Sequence, residues 1–172
     1  MTWLQTYTGR AFDYENPTPD MVCIEDVAHA LAHSSRFNGH ASTFFSIAQH
    51  SILVSQQLPS HLRLQGLLHD AHEAYVGDVV APLKRCAGME AYCAIERRVQ
   101  AVVAQAFGIP PELDPKVREA DLRMLISERN VLFGTPPYPW GVKNPPFNIE
   151  IQPVPPLSAK LLFLTEYRIC TR

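Results

Sequence analysis

The chain has 172 residues and a formal net charge of -2 at pH 7, with 47% hydrophobic and 19% charged residues. This length fits one domain with a sizeable core, and the charge supplies no basic field for a nucleic-acid backbone. No stretch approaches the roughly 20 apolar residues of a membrane span, and the four cysteines form no CxxC pair. We therefore expect a soluble, cytoplasmic protein with reduced thiols that binds neither membranes nor nucleic-acid polymers.

Taken in chain order, the hydrophobic spacing predicts mainly helices. Residues 1–20 mix aromatic residues and threonines and end at prolines, which predicts a short arm or hairpin. Residues 134–156 are rich in proline, and this composition predicts an ordered loop. Apolar spacing, caps and breakers predict helices over residues 24–33, 42–58 with Ser42 as N-cap, 60–76, 89–107, 115–133 and 157–170. The sequence therefore predicts a single all-α domain of about six helices with little strand.

Potential metal ligands and proton carriers are concentrated in residues 67–78, LLHDAHEAYVGD. The adjacent His69 and Asp70 end an apolar run, where an unpaired charge is costly. At helical spacing Glu73 shares a face with His69, while Asp70 lies about 100° around the helix. These polar groups either satisfy one another or hold an ion.

Three predicted helices place a ligand-type side chain on a face that should be core: His50, the His69-Asp70 pair and Asp121. Any one of them alone is more often a satisfied core polar group than a metal ligand. Together, two imidazoles and two carboxylates suit one divalent ion such as Co, Mn, Zn, Ni or Mg. All seven histidines lie at or before His72, which disfavours a second metal site between the pair and Asp121.

The order of these ligands resembles the H…HD…D signature of the HD-domain phosphohydrolases, all-helical metal enzymes that act on phosphoesters. The flanking residues are similar to those of the small 5′-deoxynucleotidases and phage dATP triphosphohydrolases of that superfamily: Arg36-Phe37, Glu73, Gly77-Asp78, Pro82 and Lys84. The resemblance covers about residues 25–128, and it implies an HD-domain helical bundle, one divalent metal ion and a homo-oligomer. The small deoxynucleotidases have tryptophan at the position of Phe37, and residues 1–20 and 134–156 lie outside the match.

The chemistry of phosphoester hydrolysis assigns expected roles to these side chains. Water must be made acidic, phosphate charge must be neutralised, and the departing alkoxide needs a proton. We expect Glu73 and Asp78 to orient the water and move protons, and which of them is the base stays open. The expected metal ligands are His50, His69, Asp70 and Asp121.

A second group of residues is expected to contact the substrate. Arg36 would hold phosphate oxygens by a bidentate fork and Lys84 as a point charge. Phe37 either stacks on a base or sugar or fills an edge of the core, and Gly39 leaves room beside it. His40 either contacts phosphate or is solvated. The full candidate substrate-binding set is Arg36, Phe37, Gly39, His40, Pro82 and Lys84.

The expected reaction is cleavage of the ester between the 5′ oxygen of a deoxynucleoside and its α phosphorus. The resemblance favours a dNTP triphosphohydrolase that converts dATP to deoxyadenosine and triphosphate. Cations for a triphosphate are offered by Arg10, Lys84, Arg85, and Arg118 or Arg123. The alternative is a 5′-deoxynucleotidase acting on dNMPs, and a more remote one is a non-catalytic HD nucleotide-binding module.

Overall fold

The computed structural model describes residues 2–172, and it is mostly helical. A hairpin precedes the helices, and two of the helices, α4 and α5, are single turns of four residues. The elements in chain order are β1 (Trp3–Gln5), β2 (Ala11–Asp13), α1 (Ile24–His33), α2 (Ile47–Gln56), α3 (Ser60–Leu68), α4 (Glu73–Val76), α5 (Ala81–Lys84), α6 (Glu90–Phe107), α7 (Pro115–Leu132) and α8 (Pro156–Cys170). No helix in the part of the chain that the structure describes is long and apolar enough to cross a membrane.

The N-terminal segment is a hairpin, the second of the two predicted possibilities. Strands β1 and β2 pair antiparallel, with Leu4 opposite Phe12. Phe12 is fully buried, and its ring stacks on that of Tyr75 at a centroid distance of 4.1 Å. The buried carboxylate of Asp26 accepts hydrogen bonds from the backbone N–H and the hydroxyl of Thr8 at 2.7 and 2.9 Å. These contacts attach the hairpin to α1 and α4.

Helix α2 is the central helix of the bundle. It contacts α1, α3, α7 and α8, and eight of its ten residues are buried. Ile47 and Ile52 pack in an apolar cluster with α1, α6 and α8, whereas Val54 packs in a second cluster with α7. His50 lies between these two clusters with no exposed surface. The fold therefore places one imidazole at the junction of its two cores.

The predicted start of α2 at Ser42 was wrong, because the helix begins at Ile47. Its N-cap is Ser46, whose hydroxyl accepts a hydrogen bond from the backbone N–H of Gln49 at 3.1 Å. Backbone groups before the helix bond to distant segments instead: the N–H of Ser42 donates to Leu132 O, and Ser35 forms an antiparallel bridge with Ser46. Because these long-range bonds hold residues 42–46 in an irregular path, the segment does not wind into a helix.

The predicted continuous helix over residues 60–76 is interrupted after Leu68. The backbone N–H groups of Ala71 and Glu73 bond three residues back, to Leu68 O and Asp70 O, in place of the four-residue spacing of an α-helix. This tighter turn separates α3 from α4 and carries the His69-Asp70 pair. The carbonyl oxygen of Gly66 is left to accept a side-chain hydrogen bond.

The proline-rich segment 134–155 contains no helix or strand. Its later part lies against α2, where the side chain of Gln49 donates to Gln152 O at 2.7 Å and accepts from the N–H of Val154 at 3.0 Å. Ile151 is buried in the cluster with α7. This irregular segment therefore packs against α2 and against the apolar cluster that contains α7.

Gly66 is a position where α3 approaches α2 closely. A Cβ at this position would meet the side chain of Leu58 and lie 3.3 Å from Cα of Ser55. We expect Gly66→Ala to lower the free energy of unfolding by about 1–3 kcal/mol, since overpacking outweighs the gain in helix propensity. Urea unfolding measures this change. Gly134→Ala is the control, because apart from its own chain neighbours no atom of residues 2–172 lies within 4 Å of its Cβ position. Equal stabilities of the two variants would contradict the close approach.

Candidate metal centre

His50, His69 and Asp121 meet where α2, the turn after α3 and α7 converge. Each offers one ligand atom, and these atoms lie within 4.8 Å of one another. The Nε2 atoms of the two histidines are 3.3 Å apart, and Oδ1 of Asp121 lies 3.1 Å from Nε2 of His50 and 3.8 Å from Nε2 of His69. Two ligand atoms of one tetrahedral ion are about 3.3 Å apart. The three side chains therefore fit the ligand set of a single divalent ion.

Asp70 lies beside this group, as predicted from its position next to His69. Its Oδ2 atom is 3.2 Å from Nε2 of His69 and 3.7 Å from Nε2 of His50. Burial would raise the pKa of Asp70, but His69 outweighs burial and holds that pKa below its ordinary value. Asp70 is thus an ionised carboxylate beside both imidazoles, and its role as a fourth ligand stays a prediction.

Hydrogen bonds at the opposite ring nitrogens orient both histidines. Nδ1 of His50 donates to Oε1 of Glu128 at 2.6 Å, and Nδ1 of His69 donates to the carbonyl oxygen of Gly66 at 2.8 Å. Both partners are acceptors, so the proton of each neutral ring is assigned to Nδ1. The Nε2 lone pairs are then directed toward Asp121, which is the state that a metal ligand requires.

The protonation preferences of the two histidines reflect the carboxylates around them. Burial and the charge of Arg36 lower the pKa of His50, but Glu128 and Asp121 outweigh them and raise it. Burial likewise opposes protonation of His69, whereas Asp70 and Asp121 raise its pKa well above the ordinary value. The site therefore has an excess of negative charge that favours a cation at the Nε2 atoms.

Glu128 supports the site from α7 and has no exposed surface. While its Oε1 accepts from His50, its Oε2 accepts from the guanidinium of Arg36 at 3.1 Å. Burial would raise the pKa of Glu128, but His50 and Arg36 outweigh it and lower that pKa. The burial of Glu128 and its two partners identify it as a supporting residue.

Arg36 reaches the site from a short 3₁₀ turn, Arg36–Gly39. Its guanidinium is largely buried and lies 3.9 Å from Oδ2 of Asp70. Burial opposes the charged form, but Glu128 and Asp70 outweigh it and raise the pKa of Arg36. Phe37 and Asn38 both adopt left-handed backbone angles, with φ of 57° and 51°. Strain of this kind in non-glycine residues is concentrated at functional sites.

The remaining residues of this turn lie further from the metal-type group. The ring of Phe37 makes edge contacts with Phe133 and Trp140, at centroid distances of 5.1 and 6.0 Å, and so fills an edge of the core. Gly39 and His40 are exposed, as is Pro82, the second residue of α5. Within residues 2–172, no hydrogen bond or ion pair joins these three exposed residues to the metal-type group.

Glu73 is a buried carboxyl group at the start of α4. Its Oε2 atom is inaccessible and has no hydrogen-bond partner among residues 2–172. Burial first, and then the charges of Asp70 and Asp78, raise the pKa of Glu73 well above its ordinary value. The pKa of the partly buried Asp78 is also raised by burial, against the opposing charge of Arg36. Both carboxyls are therefore suited to exchanging protons nearer neutral pH than an exposed carboxyl.

Lys84 is held by a residue that sequence reasoning missed. Its Nζ atom donates to Oε1 of Glu96 at 2.5 Å. Glu96 is buried on α6, one and two turns before the buried Val99 and Val103. An acidic residue on the apolar stripe of a helix was the available signal, but the sequence did not identify its partner.

The ligand-type side chains become more exposed from the histidines to Asp121. The exposed fractions are 0% for His50, 2% for His69, 17% for Asp70 and 37% for Asp121. A structural metal site is closed by protein ligands, whereas a catalytic site keeps a position open to water or substrate. The exposure of Asp121 gives the candidate metal centre such an open side.

Two bacterial proteins show clear sequence similarity to the chain. It is 40% identical over 132 residues to YfdR, an uncharacterized protein of Escherichia coli strain K12, which covers 77% of this chain and 73% of the relative. It is 35% identical over 127 residues to an uncharacterized protein of Rhodobacter capsulatus, which covers 69% of this chain and 64% of that relative. No family model matches the chain.

Replacing Asp121 tests whether its carboxylate belongs to the set of metal ligands. We expect Asp121→Ala to weaken binding of Mn²⁺ or Co²⁺ by at least about 100-fold, since removing even a residue that only supports a metal ligand weakens binding 10- to 100-fold. Calorimetric titration measures the affinity. Glu119→Ala removes an exposed carboxylate from the same helix and is the matched control. Wild-type affinity in Asp121→Ala would mean that this carboxylate is not a ligand.

Proposed function

The chain belongs to the family of the Escherichia coli protein YfdR, and from the chemistry of its candidate metal centre we propose that it is a divalent-metal-dependent phosphohydrolase with an HD-domain fold. The observation that carries this proposal is the meeting of His50, His69 and Asp121. The adjoining Asp70 is close enough to raise the pKa of Glu73, whose buried Oε2 has no partner among residues 2–172. A metal-ligand set next to a group that can exchange protons is what hydrolysis of a phosphoester requires.

His50, His69, Asp70 and Asp121 would hold the ion. When bound, a divalent ion supplies Lewis acidity that makes water more acidic and offsets phosphate charge. Arg36 adds a permanent positive charge on the same side, where Glu128 fixes the direction of its guanidinium. These residues together would bind and orient an anionic phosphate group.

Glu73 is the preferred proton carrier of the two carboxyls. Its burial raises its pKa well above the ordinary value, so it holds a proton more readily than an exposed carboxyl does. In the proposed reaction Glu73 accepts a proton from the attacking water and returns one to the departing 5′ oxygen. Asp78, which is less buried, would orient the water by accepting a hydrogen bond.

The proposed substrate is a deoxynucleotide cleaved between the 5′ oxygen and the α phosphorus. The resemblance to the phage enzymes supports dATP, with deoxyadenosine and triphosphate as products. Lys84 and the exposed Arg85 adjoin one another at the end of α5, and both line a cavity of about 420 Å³. These cations support a substrate with phosphates beyond the α position.

A second candidate substrate is a deoxynucleoside monophosphate. Two of the arginines expected to serve a triphosphate are engaged elsewhere. The guanidinium of Arg10 donates to Asp20 O at 2.8 Å, and that of Arg123 donates to Pro145 O at 3.1 Å and covers the ring of Phe147. Because these two arginines make structural contacts, fewer cations remain to bind a triphosphate. A monophosphate needs fewer cations, which supports the 5′-deoxynucleotidase reaction.

The products of hydrolysis test the proposal and separate its alternatives. Protein loaded with Mn²⁺, Co²⁺ or Mg²⁺ is incubated with dAMP, dATP, dGTP and dTTP, and the products are separated by chromatography. We expect deoxyadenosine and intact triphosphate from dATP. Activity on dAMP alone would select the monophosphate substrate. Nucleotide binding without any product would favour the non-catalytic HD nucleotide-binding module and contradict the hydrolase.

Replacing the two carboxyls separates their roles. We expect Glu73→Gln to lower kcat by about 10²- to 10⁴-fold, the usual contribution of a general acid or base, while metal affinity changes little. Steady-state kinetics and calorimetric metal titration measure these quantities. Asp78→Asn is the matched comparison and should lose less activity. A larger loss in Asp78→Asn would assign the proton transfer to Asp78.

A further inference from the structure

Glu96 connects three elements beside the candidate metal centre. From α6, its Oε1 atom accepts hydrogen bonds from Nζ of Lys84 on α5 at 2.5 Å and from the hydroxyl of Tyr92 at 3.4 Å. Nε2 of His72, in the turn before α4, lies 3.7 Å from the same oxygen. Oε1 of Glu96 thus lies between Lys84 and His72, the residue that precedes Glu73.

The charge state of this contact is well defined. Burial would raise the pKa of Glu96, but the nearby His72 and the hydrogen bond from Lys84 outweigh burial and lower it to about 2. Glu96 is therefore an anion at neutral pH, and the same contact raises the pKa of Lys84. Lys84 is an ammonium with three N–H donors, of which Glu96 needs one.

The ammonium of Lys84 also lies within electrostatic range of two carboxyl groups at the candidate metal centre, those of Glu73 and Asp70. The charge of Lys84 acts on the pKa of Glu73, and in return Glu73 and Asp70 raise the pKa of Lys84. About a quarter of the Lys84 side chain is exposed, so a ligand can reach it. An unanchored lysine has a long, flexible stem that must be ordered when an anion binds.

We propose that Glu96 is a positioning residue that holds the ammonium of Lys84 where it meets a phosphate oxygen of the substrate. This inference rests on the proposed phosphohydrolase function and assigns to it a residue that is not among those on which the resemblance is based. Glu96 itself touches neither substrate nor metal in this arrangement. It acts through Lys84, by ordering the lysine before the phosphate arrives.

Steady-state kinetics of Glu96→Gln test this role. Gln has the same shape but cannot anchor the ammonium by charge, so we expect KM to rise about tenfold while kcat stays within about twofold, as for an interaction made equally in the ground and transition states. Glu96→Asp keeps the charge and should recover most of the wild-type KM. In a Lys84→Met background, Glu96→Gln should have little further effect on KM.

Glu166→Gln is the matched control. Glu166 is a buried carboxylate of α8 that accepts from the guanidinium of Arg63 at 2.5 Å and from the hydroxyl of Ser55 at 3.1 Å. Its replacement also breaks a buried ion pair, but away from Lys84, so it should lower the unfolding temperature without changing KM. An equal rise of KM in Glu166→Gln would show that Glu96 matters only for folding and would overturn the inference.

Binding of inorganic phosphate and triphosphate to the metal-loaded protein gives a readout that needs no turnover. We expect Glu96→Gln to weaken binding by a factor similar to the rise in KM. Unchanged binding to Glu96→Gln would overturn the inference, and so would tighter binding because Lys84 is released. Absence of binding to the wild-type protein would also overturn it. Failure of the proposed function is distinct, because it is the absence of nucleoside product from wild-type protein, with or without phosphate binding.

Discussion

The carboxylate of Glu128 is the interaction on which the candidate metal centre depends. It is completely buried, and each of its oxygens has a charged or polar partner, His50 on one side and Arg36 on the other. Burying a carboxylate in its ionised form is costly unless it is paired in this way, and removing one partner leaves an uncompensated charge. Glu128 therefore joins the central helix α2, helix α7 and the strained Arg36–Gly39 turn into one unit. The metal-type group and the arginine expected to bind phosphate share a single support.

The turn between α3 and α4 gives the second half of the centre its geometry. Because its backbone bonds reach back three residues, the carbonyl of Gly66 accepts from His69 and directs the other ring nitrogen toward His50. The same turn places Glu73 at the first position of α4, where its Oε2 atom is buried without a hydrogen-bond partner in the described part of the chain. Burying such a group destabilises the fold, and this cost is expected where a residue is retained for chemistry instead of stability.

Local sequence signals predicted much of the structure, and long-range contacts account for the rest. Helix α1 has its predicted bounds, and α7 begins at the predicted residue 115, where the side chain of Asp114 caps it by accepting from the N–H of Lys116. Helical periodicity also predicted a core face for His50, which is fully buried, and for Asp121, whose side chain is instead 37% exposed. The start of α2 was wrong because Ser42 bonds to a residue 90 positions later, which no local pattern encodes.

Two features of the site could not be predicted for the same reason, because they depend on long-range contacts. The partner of Lys84 could not be predicted, since periodicity shows that Glu96 is buried but not which cation faces it across α5 and α6. Phe37 was left between a substrate contact and a core position. Its packing against Trp140 depends on the path of the proline-rich segment, which has no periodicity to interpret. Sequence thus predicted the ligand types, whereas the supports of those ligands required the fold.

A crystal structure of the Mn²⁺-loaded protein, with anomalous diffraction recorded at the manganese absorption edge, tests the central claim most directly. The account predicts one anomalous peak, within about 2.0–2.3 Å of Nε2 of His50, Nε2 of His69 and carboxylate oxygens of Asp70 and Asp121. A peak bound by other residues, or no peak with the two imidazoles bonded directly to Asp121, would contradict it.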